Sequence, residues 1–444
     1  MTDLWNALTP DAQDAAIALA LIAPGLIAGW TVLRGLAPFP LVRALLLRFR
    51  GVNLLFVTLI AVSVGLGVAL VAQERGLRQG SARAAEKFDL IVAAPGSELT
   101  VMLASVFLRP SDMALLSGAQ FAEIAGTEGV AFAAPIAFGD SIDGAPVVGT
   151  TAEFVTHLAG PLVEGRLFAT ASEAVAGAFA PVGPGDAFIP AHGAHEGDDH
   201  EEDGADHGDG HHDGFAYVVT GRMAPTGSPW DRAVLVPVEG VWEVHGLANG
   251  HPPDETRIGP PFDPSLMPGT PAILVQATDL WGNYALKSRF TRPDMMAFFP
   301  GTVLSQMHEV MRDLRTAMSV LATLTQVLVT LSVLTALLIL VRLIARSLAL
   351  LRALGAPARF VLATVWTYTA ALVASGAVAG LAIGWGTAGA LAAYLTDRTD
   401  VLVSARIGWS EIHLTAGFLG LTLVLALLPA WRAVGRSIVP DLRA

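Results

Sequence analysis

The stretch Arg342–Arg359, with the sequence RLIARSLALLRALGAPAR, carries four arginines and no acidic residue. It separates two runs that contain no charged residue, Thr316–Val341 and Phe360–Gly386. Each run is long enough to cross a bilayer as a helix, since about 20 apolar residues suffice. A short arginine-rich loop between two spans marks the cytoplasmic side of a membrane. The sequence therefore predicts a membrane hairpin whose tip faces the cytoplasm.

The tip of this hairpin has the pattern of an amphipathic helix. Its apolar residues recur at helical spacing, namely Ile344, Leu348, Leu351 and Leu354. Arg342 and Arg346 fall on the opposite face, and Gly355 followed by Pro357 is a typical helix stop. A helix that is apolar on one side and basic on the other, at the inner face of a membrane, offers a surface for a partner protein.

The composition of the 444-residue chain also indicates a membrane protein. Hydrophobic residues make up 53% of the chain and charged residues only 15%, which is too apolar for an ordinary soluble protein. Cysteine is absent, so disulfides and thiolate metal ligands are excluded. Most of the net charge of −12 comes from one segment, because residues 192–213 hold nine Asp and Glu residues and no Lys or Arg. No nucleic-acid partner is expected for such a chain.

The lysines exclude a nucleotide-hydrolysing loop on this chain. There are only two, Lys87 and Lys287, and neither follows a glycine. A Walker A loop needs Gly-Lys-Ser/Thr to hold phosphates. The two partial zinc-protease patterns, which begin at His195 and His308, both lack the second histidine. We therefore expect no catalytic residues here, and a protein that is not an enzyme.

The uncharged runs divide the chain into three regions. Residues 1–72 form an N-terminal membrane region, residues 73–315 contain no spanning run, and residues 316–444 form a C-terminal membrane region. The predicted spans are, in chain order, about 15–33, 53–72, 316–341, 360–386 and 412–431. Pro24 and Gly25 interrupt the first run, so it either crosses the membrane or lies along its interface, and the count is five spans or four.

The middle region has the mixed pattern of a folded domain. Its strand-like pieces are Phe88–Ala93, Ala145–Thr150, Phe215–Thr220, Ala233–Val238 and Ala272–Ala277. Its helical pieces are Glu98–Leu108, Asp112–Ile124 and Val238–His245. With the hairpin tip in the cytoplasm, this region falls on the other side of the membrane. The predicted fold is a membrane α-helical protein of four to five transmembrane helices, with a large mixed α/β extracytoplasmic domain of undetermined strand order.

One predicted span carries a regular row of glycines. Gly376, Gly380 and Gly384 recur every four residues and so lie on one face of a helix. Such a face lets two helix backbones approach closely. It serves either as an interface between subunits or as a packing surface for another span of the same chain.

The acidic segment 192–213 is also rich in histidine. Its imidazoles are His192, His195, His200, His207, His211 and His212. Imidazole together with carboxylate suits Zn²⁺ or another divalent metal. A glycine-rich segment does not hold one fixed geometry, so we expect labile metal capture at several modest sites. The alternative is a solvated acidic loop that binds nothing.

Several motifs resemble the MacB/FtsX-type permeases of ABC transporters. These are Leu350–Ala356 (LLRALGA), Pro429–Ala433 (PAWRA) and Val439–Arg443 (VPDLR). The middle region, through Phe88–Val92 (FDLIV) and Pro225–Pro229 (PTGSP), is similar to a narrower group of these permeases with a His-rich insert and links to metal supply. Two features depart from the family pattern, a serine at position 347 where a glutamate is usual and the additional first run.

The resemblance implies a homodimer bound to two cytoplasmic ATPase subunits, in a bacterial inner membrane and among membrane lipids, with the large domain in the periplasm. The residues implied to couple to the ATPase are Leu348, Leu350, Leu351, Arg352, Ala353, Leu354 and Gly355. Motion driven by ATP would pass through them to the periplasmic domain, which handles a periplasmic or lipid-anchored partner. Two alternatives remain, a permease that extracts lipoproteins or lipids, and a metal-sensing regulatory membrane protein.

Overall fold

The computed structural model describes residues 5, 7–109, 111–192, 215–343, 345–399 and 402–434. The α-helices are α1 (Pro10–Leu33), α2 (Phe39–Arg48), α3 (Arg50–Ala85), α4 (Glu98–Ser105), α5 (Gly118–Ala125), α6 (Ala152–Ala159), α7 (Val238–Val244), α8 (Leu280–Phe290), α9 (Pro300–Leu343), α10 (Ala345–Ala353), α11 (Ala358–Thr399), α12 (Trp409–Leu425) and α13 (Leu427–Val434). The strands are β1 (Leu90–Ala93), β2 (Val130–Ile142), β3 (Ala145–Thr150), β4 (Glu164–Gly165), β5 (Glu173–Ala176), β6 (Ala187–Phe188), β7 (Ala191–His192), β8 (Tyr217–Arg222), β9 (Val234–Pro237), β10 (Ala272–Ala277) and β11 (Met296–Phe298).

The chain folds into two compact units. The helical unit comprises Met1–Leu77, Arg312–Tyr394 and Ser404–Ala444. The α/β unit comprises Arg78–Met311 and Leu395–Val403. Each unit has its own core, and the two are described separately.

The α/β unit is built on one mixed sheet. Its strand order is β11-β1-β10-β2-β3-β9-β5-β8-β4, with β6 paired to β8 and β7 paired to β2. The β3–β9 and β5–β8 pairs are parallel, and the other pairs are antiparallel. The central strand β2 and its partner β3 form a hairpin whose turn residues, Asp143 and Gly144, both have positive φ. The sheet thus places β7, the start of the acidic segment, beside β2.

Both faces of this sheet are covered. Residues alternate along β1, so that Leu90 and Val92 join one buried apolar cluster while Ile91 and Ala93 join the other. Helices α5, α7 and α8 contribute side chains to the first cluster, and α4, α6 and the start of α9 contribute to the second. The mixed α/β architecture predicted for the middle region is confirmed.

The predicted secondary structure of this unit needs two corrections. The helix expected to begin at Asp112 begins at Gly118, because Ser117 caps it and exchanges hydrogen bonds with Gln120. The longest strand, β2, was not predicted, since its sequence VAFAAPIAFGDSI is rich in alanine and lacks the β-branched pattern.

The helical unit contains the apolar helices. Among the described residues, four helices are long and apolar enough to cross a membrane, and they are Pro10–Leu33, Arg50–Ala85, Ala358–Thr396 and Trp409–Arg432. The predicted span 316–341 lies within α9. Helices α3 and α11 continue beyond the apolar runs to Ala85 and Thr399, and the residues that extend each helix contain no proline.

Helix α1, the additional first run, packs lengthwise against α12. At its start, Trp409 Nε1 donates to Asp11 Oδ1 at 2.9 Å, and His413 Nε2 lies 2.8 Å from the carbonyl oxygen of Asp14. Further along, a Cβ on Gly25 would lie 2.9 Å from the Cβ of Leu423. The two helices are therefore parallel and in close contact, and Pro24 does not break α1. This packing favours the crossing alternative for the first run.

The glycine row of α11 is filled by α3 of the same chain. A Cβ on Gly376 would lie 2.7 Å from Ile60, one on Gly380 would lie 2.7 Å from Val64, and one on Gly384 would lie 2.7 Å from Val68. Contacts this short show that only glycine allows the two helices to lie at this distance. We call this contact the glycine seam. Of the two roles considered for these glycines, the seam is packing against another helix of the same chain rather than an interface between subunits.

At the end of the seam, a buried ion pair joins α3 to α12. Arg75 Nη1 donates to Glu411 Oε2 at 2.7 Å, and the Glu411 side chain is fully buried. The same carboxylate oxygen accepts from the Gly408 backbone N–H at 2.9 Å, which caps α12. Arg75 also donates to the carbonyl oxygen of Arg406. The pair thus fixes the loop before α12 to the end of the apolar part of α3.

The seam predicts that Gly380→Ala destabilises the protein by about 1–3 kcal/mol, because the added methyl group overlaps Val64 and the Ala61 carbonyl oxygen. The matched control is Gly389→Ala in the same helix, where a Cβ meets no atom within 4 Å. We expect that control to be neutral or slightly stabilising. Thermal unfolding of the purified chain in detergent measures both, and equal melting temperatures would contradict the seam.

The ion pair predicts a strongly non-additive pair of substitutions. Arg75→Met leaves the Glu411 carboxylate buried without its cation and should cost about 3 kcal/mol, whereas Arg75→Met combined with Glu411→Leu should cost much less. Arg78→Met, at an exposed position one turn further along α3, is the control. A double-mutant cycle from melting in detergent gives the coupling, and simple additivity would show that the pair is not formed.

Candidate functional site

The candidate site is the short helix α10 between α9 and α11, because its two faces differ. Leu348 and Ala349 are buried, with 6% and 5% of their surface exposed. Leu350 and Leu354 are 50% and 85% exposed. Since these two leucines are four residues apart, they lie on the same side of the helix. The structure thus provides an outward apolar pair on a helix whose other side is packed.

The packed face of α10 joins the core of its own unit. Leu348 belongs to a buried cluster with residues of α11 and α12, including Val365, Trp366 and Leu423, and Leu351 packs at its edge. Trp366 Nε1 also donates to the carbonyl oxygen of Leu423 at 3.0 Å. Helix α10 therefore packs against the residues that also hold α11 and α12 together.

The end of α10 is fixed by its backbone. Gly355 has a φ of +99°, a left-handed conformation that glycine adopts without strain. Its N–H donates to the Arg352 carbonyl at 3.1 Å, and the Ala356 N–H donates to the Leu351 carbonyl at 3.0 Å. This is the Schellman pattern of helix termination, and it turns the chain directly into α11.

Arg352 connects α10 to the end of the described chain. Its Nη1 donates to the carbonyl oxygen of Val434, the last residue of α13, at 3.2 Å. The predicted coupling residues thus separate into three kinds. Leu348 and Leu351 anchor the helix, and Arg352 bonds to the end of α13. The third kind is exposed, with Leu350 and Leu354 facing outward and Ala353 and Gly355 at the end of α10.

The predicted metal residues lie mostly beyond the described structure. His195, His200, His207, His211 and His212 are outside the described residues. His192 is the last residue of β7, and it is paired in register with Asp140 of β2. Within the described ranges, no group of three or more His, Asp or Glu side chains is arranged to hold a metal ion. The metal capture predicted for this segment therefore stays a prediction.

A buried histidine and glutamate hold the long loop after α7. His251 Nε2 lies 3.4 Å from Glu239 Oε1, and both side chains are at most 2% exposed. The same oxygen accepts from the Gly259 backbone N–H. Burial raises the pKa of the Glu239 carboxyl, although the hydrogen bonds from Gly259 and His251 act in the opposite direction. The pair joins the two ends of a loop and opens into no described reaction site, so we assign it a structural role.

The PTGSP motif at Pro225–Pro229 is organised by a buried carboxylate. Asp231 accepts hydrogen bonds from the Thr226 and Gly227 backbone N–H groups, each at 2.7 Å, and from the Thr226 hydroxyl at 2.7 Å. Its side chain is only 4% exposed. All three donors come from the motif itself, so the conformation of this turn explains why Asp231 follows it.

Sequence reasoning missed the Arg75–Glu411 pair because its partners are 336 residues apart. One signal was present, since Arg75 is a basic residue at the outer end of a predicted span, where few are expected. Glu411 was assigned to the loop before the last span, whereas it is the third residue of α12. Its side chain accepts from the Gly408 backbone N–H three residues earlier, which is the one half of a capping box that a glycine at this position allows.

The C-terminal part of the chain is similar to a known protein family. Residues 319–438 match the model of a family described as FtsX-like permease C-terminal. No match was found among curated proteins.

Two solved structures are similar to part of the chain. The periplasmic region of MacB from Actinobacillus actinomycetemcomitans is 11% identical, with a TM-score of 0.31, and covers 50% of this chain and 95% of that one. The extracellular domain of the noncanonic ABC-type transporter YknZ from Gram-positive bacteria is 10% identical, with a TM-score of 0.27, and covers 47% of this chain and 98% of that one.

The family match includes α10, the glycine seam on α11 and the whole of α12. It also coincides with helices that are long and apolar enough to cross a membrane. Residues 319–438 are therefore similar to the C-terminal part of FtsX-like permeases, in a chain whose described residues include four helices long and apolar enough to cross a membrane.

Proposed function

We propose that this permease transmits ATP-driven motion from a cytoplasmic ATPase subunit to its extracytoplasmic domain, and that it catalyses no reaction itself. The match of residues 319–438 to FtsX-like permeases supports a cytoplasmic ATPase as the partner. The observation that carries the proposal is the exposed leucine pair on α10, because Leu350 and Leu354 project from a helix whose other face is anchored. Such a pair fits a groove on the ATPase.

Three features of α10 support this role. The Schellman end at Gly355 fixes where the helix stops, so the position of Leu354 is defined by the backbone. The segment Arg342–Arg359 carries four arginines and no acidic residue, which suits an acidic partner surface. Leu348 carries any displacement into the cluster that holds α11 and α12. Helix α9, a continuous helix of 44 residues that ends just before α10, provides the path outward.

We also propose that the permease acts as a homodimer surrounded by membrane lipids, and that its extracytoplasmic domain engages a periplasmic or lipid-anchored partner. The glycine seam does not serve the dimer, because α3 of the same chain fills it. The outer face of α1 suits lipid, since its large apolar side chains, Leu19, Leu26, Ile27 and Trp30, are each more than half exposed.

Substitution of the exposed leucines tests the coupling. We expect Leu354→Asp, and Leu350→Asp to a lesser degree, to remove the ATPase that co-purifies with the wild-type chain, because each places a charge in an apolar contact. Leu247→Asp is the matched control, since Leu247 is 50% exposed, as Leu350 is, but lies in the α/β unit. The measurement is the amount of ATPase subunit and ATP hydrolysis recovered from native membranes.

Full recovery of the ATPase with Leu354→Asp would refute coupling through α10. Melting of each variant in detergent excludes a general loss of folding. Leu351 is unsuited to this test, because it packs against its own unit and its substitution would disturb folding as well as docking. A wild-type chain that binds metal and co-purifies with no ATPase would instead favour the regulatory alternative.

As a second function, we propose that the segment 192–213 captures Zn²⁺ or another divalent metal. Six imidazoles and nine carboxylates in 22 residues support it. Deletion of residues 193–213 should leave folding intact and reduce the number of zinc ions bound per chain. Calorimetric titration of zinc chloride into the full chain and into the deletion variant measures the number of zinc ions bound. An unchanged stoichiometry would contradict the proposal.

A further inference from the structure

We propose that residues 30–50, which comprise the end of α1, the following turn and α2, bind the head group of an anionic phospholipid in the cytoplasmic leaflet. We call these residues the basic corner, and all of them belong to the helical unit. The inference rests on the proposed placement of the chain among membrane lipids and deepens it by naming the lipid class and its site.

The basic corner carries four cations that the chain does not neutralise. They are Arg34, Arg43, Arg48 and Arg50, and all four side chains are exposed. The sequence has no Asp or Glu between positions 14 and 74. None of the four guanidinium groups forms an ion pair or hydrogen bond with a described residue, whereas Arg75 of the same unit is paired with Glu411. The corner therefore presents its donors to an anion from outside the chain.

The corner connects two helices that are each long and apolar enough to cross a membrane, α1 and α3. Helix α2 itself has 10 residues, so its length of about 15 Å is half of a ~30 Å hydrocarbon core. It therefore lies at one surface of the membrane, between the two spans. The arginines assign that surface to the cytoplasmic side, where the head groups of anionic lipids are within their reach.

The open face of α2 combines apolar and basic side chains. Its other face is packed, since Val42 is buried in a cluster with residues of α3 and α11. On the open side, Phe39, Arg43 and Leu47 follow one another at four-residue intervals and so form one line along the helix. Phe39 is 57% exposed and Leu47 is 64% exposed. A phospholipid supplies both a phosphate for the arginine and acyl chains for its apolar neighbours, whereas water suits only the arginine.

The end of α1 adds a second pair of this kind. Arg34 Cζ lies 5.3 Å from the centroid of the Trp30 ring, which is a cation–π contact. Trp30 is 65% exposed, and tryptophan is enriched at the level of the head groups. The backbone beside it is held in place, because a Cβ on Gly29 would lie 2.5 Å from the Trp366 ring. The Arg34 guanidinium is thus positioned before an anion binds.

The far end of α2 is fixed as well. Asn53 Nδ2 donates to the Leu46 carbonyl oxygen at 2.9 Å, and the Tyr368 hydroxyl donates to Asn53 Oδ1. Arg48 Cζ lies 6.0 Å from the centroid of the Phe49 ring. Because these contacts hold the backbone that carries the arginines, little conformational freedom is lost when a head group binds.

Melting of the purified full chain in detergent, with added lipid, tests the site. Phosphatidylglycerol should raise the melting temperature of the wild type more than the same amount of phosphatidylcholine, because only the first has a net negative charge. We expect Arg43→Gln to weaken phosphatidylglycerol binding by about fivefold, and Arg34→Gln, Arg43→Gln and Arg48→Gln together to weaken it by about 100-fold. Arg289→Gln is the matched control, since this arginine is equally exposed but lies in α8 of the α/β unit.

Further variants separate the charge from the apolar contact. Arg43→Lys should bind more tightly than Arg43→Gln, because it retains the positive charge. Leu47→Gln should weaken phosphatidylglycerol binding, because it removes an exposed apolar side chain. All variants should melt like the wild type without lipid, since the substituted side chains are exposed. Inorganic phosphate at the concentration of the lipid should not stabilise the wild type, and an equal effect of phosphate would reduce the site to a general anion site.

The outcomes distinguish this site from the proposed lipid surroundings of the chain. Equal stabilisation by the two lipids would overturn the site and leave those surroundings intact, whereas no stabilisation by either lipid would contradict both. Wild-type lipid affinity in the triple variant would also overturn the site. If that variant instead loses the co-purifying ATPase, the open face of α2 belongs to the ATPase contact.

Discussion

The helical unit depends on the close approach of α3 and α11 at the glycine seam. Within a bilayer, burial of apolar surface does not drive helices together, because lipid is as apolar as leucine. Association then relies on van der Waals contact and on backbones that can come near each other. Gly376, Gly380 and Gly384 provide this by leaving room for Ile60, Val64 and Val68, which are all buried there. Helix α1 also packs closely through glycines, since Gly25 lies against α12 and Gly29 lies against Trp366.

A tightly packed seam has a mechanical consequence. Helices held by close backbone contact deform little and tend to move as bodies, since packed interiors transmit strain. The anchored face of α10 joins this packed region through Trp366 and Leu423, while its exposed leucines do not. Under the proposed function, a force applied at Leu354 would reach α11 and α12 through this packed region. The Schellman end of α10, with its left-handed Gly355, serves the same purpose at the tip of the hairpin.

The sequence predicted those features whose signal is local. The apolar runs, the arginine-rich hairpin and the stop at Gly355 each depend on residues close in the chain, and β3 and β10 follow from their β-branched pattern. The face of α10 was only partly predictable. Leu348 and Leu351 share the helical spacing of Leu354, but which of them is buried depends on where α11 and α12 lie.

What sequence reasoning missed depends on long-range pairing. Strand β2 has little β-branched character and is a strand because β3 and β10 flank it. The row of glycines was compatible with two partners, and only the position of α3 decides between them. Arg75 and Glu411 are brought together by the fold across most of a unit, so their spacing in the chain carries no signal.

Two buried carboxylates of the chain are accommodated in different ways. Glu411 is neutralised by a distant cation, because the Arg75 guanidinium and the Gly408 N–H both reach the same oxygen. Asp231 instead accepts from two backbone N–H groups and the hydroxyl of the Pro225–Pro229 turn. A hydrogen bond to a carboxylate is stronger than one between neutral groups, so each carboxylate fixes the segment that donates to it. Glu411 thus holds the start of α12 against α3, which no local sequence signal could show, whereas Asp231 organises a turn that lies beside it in the chain.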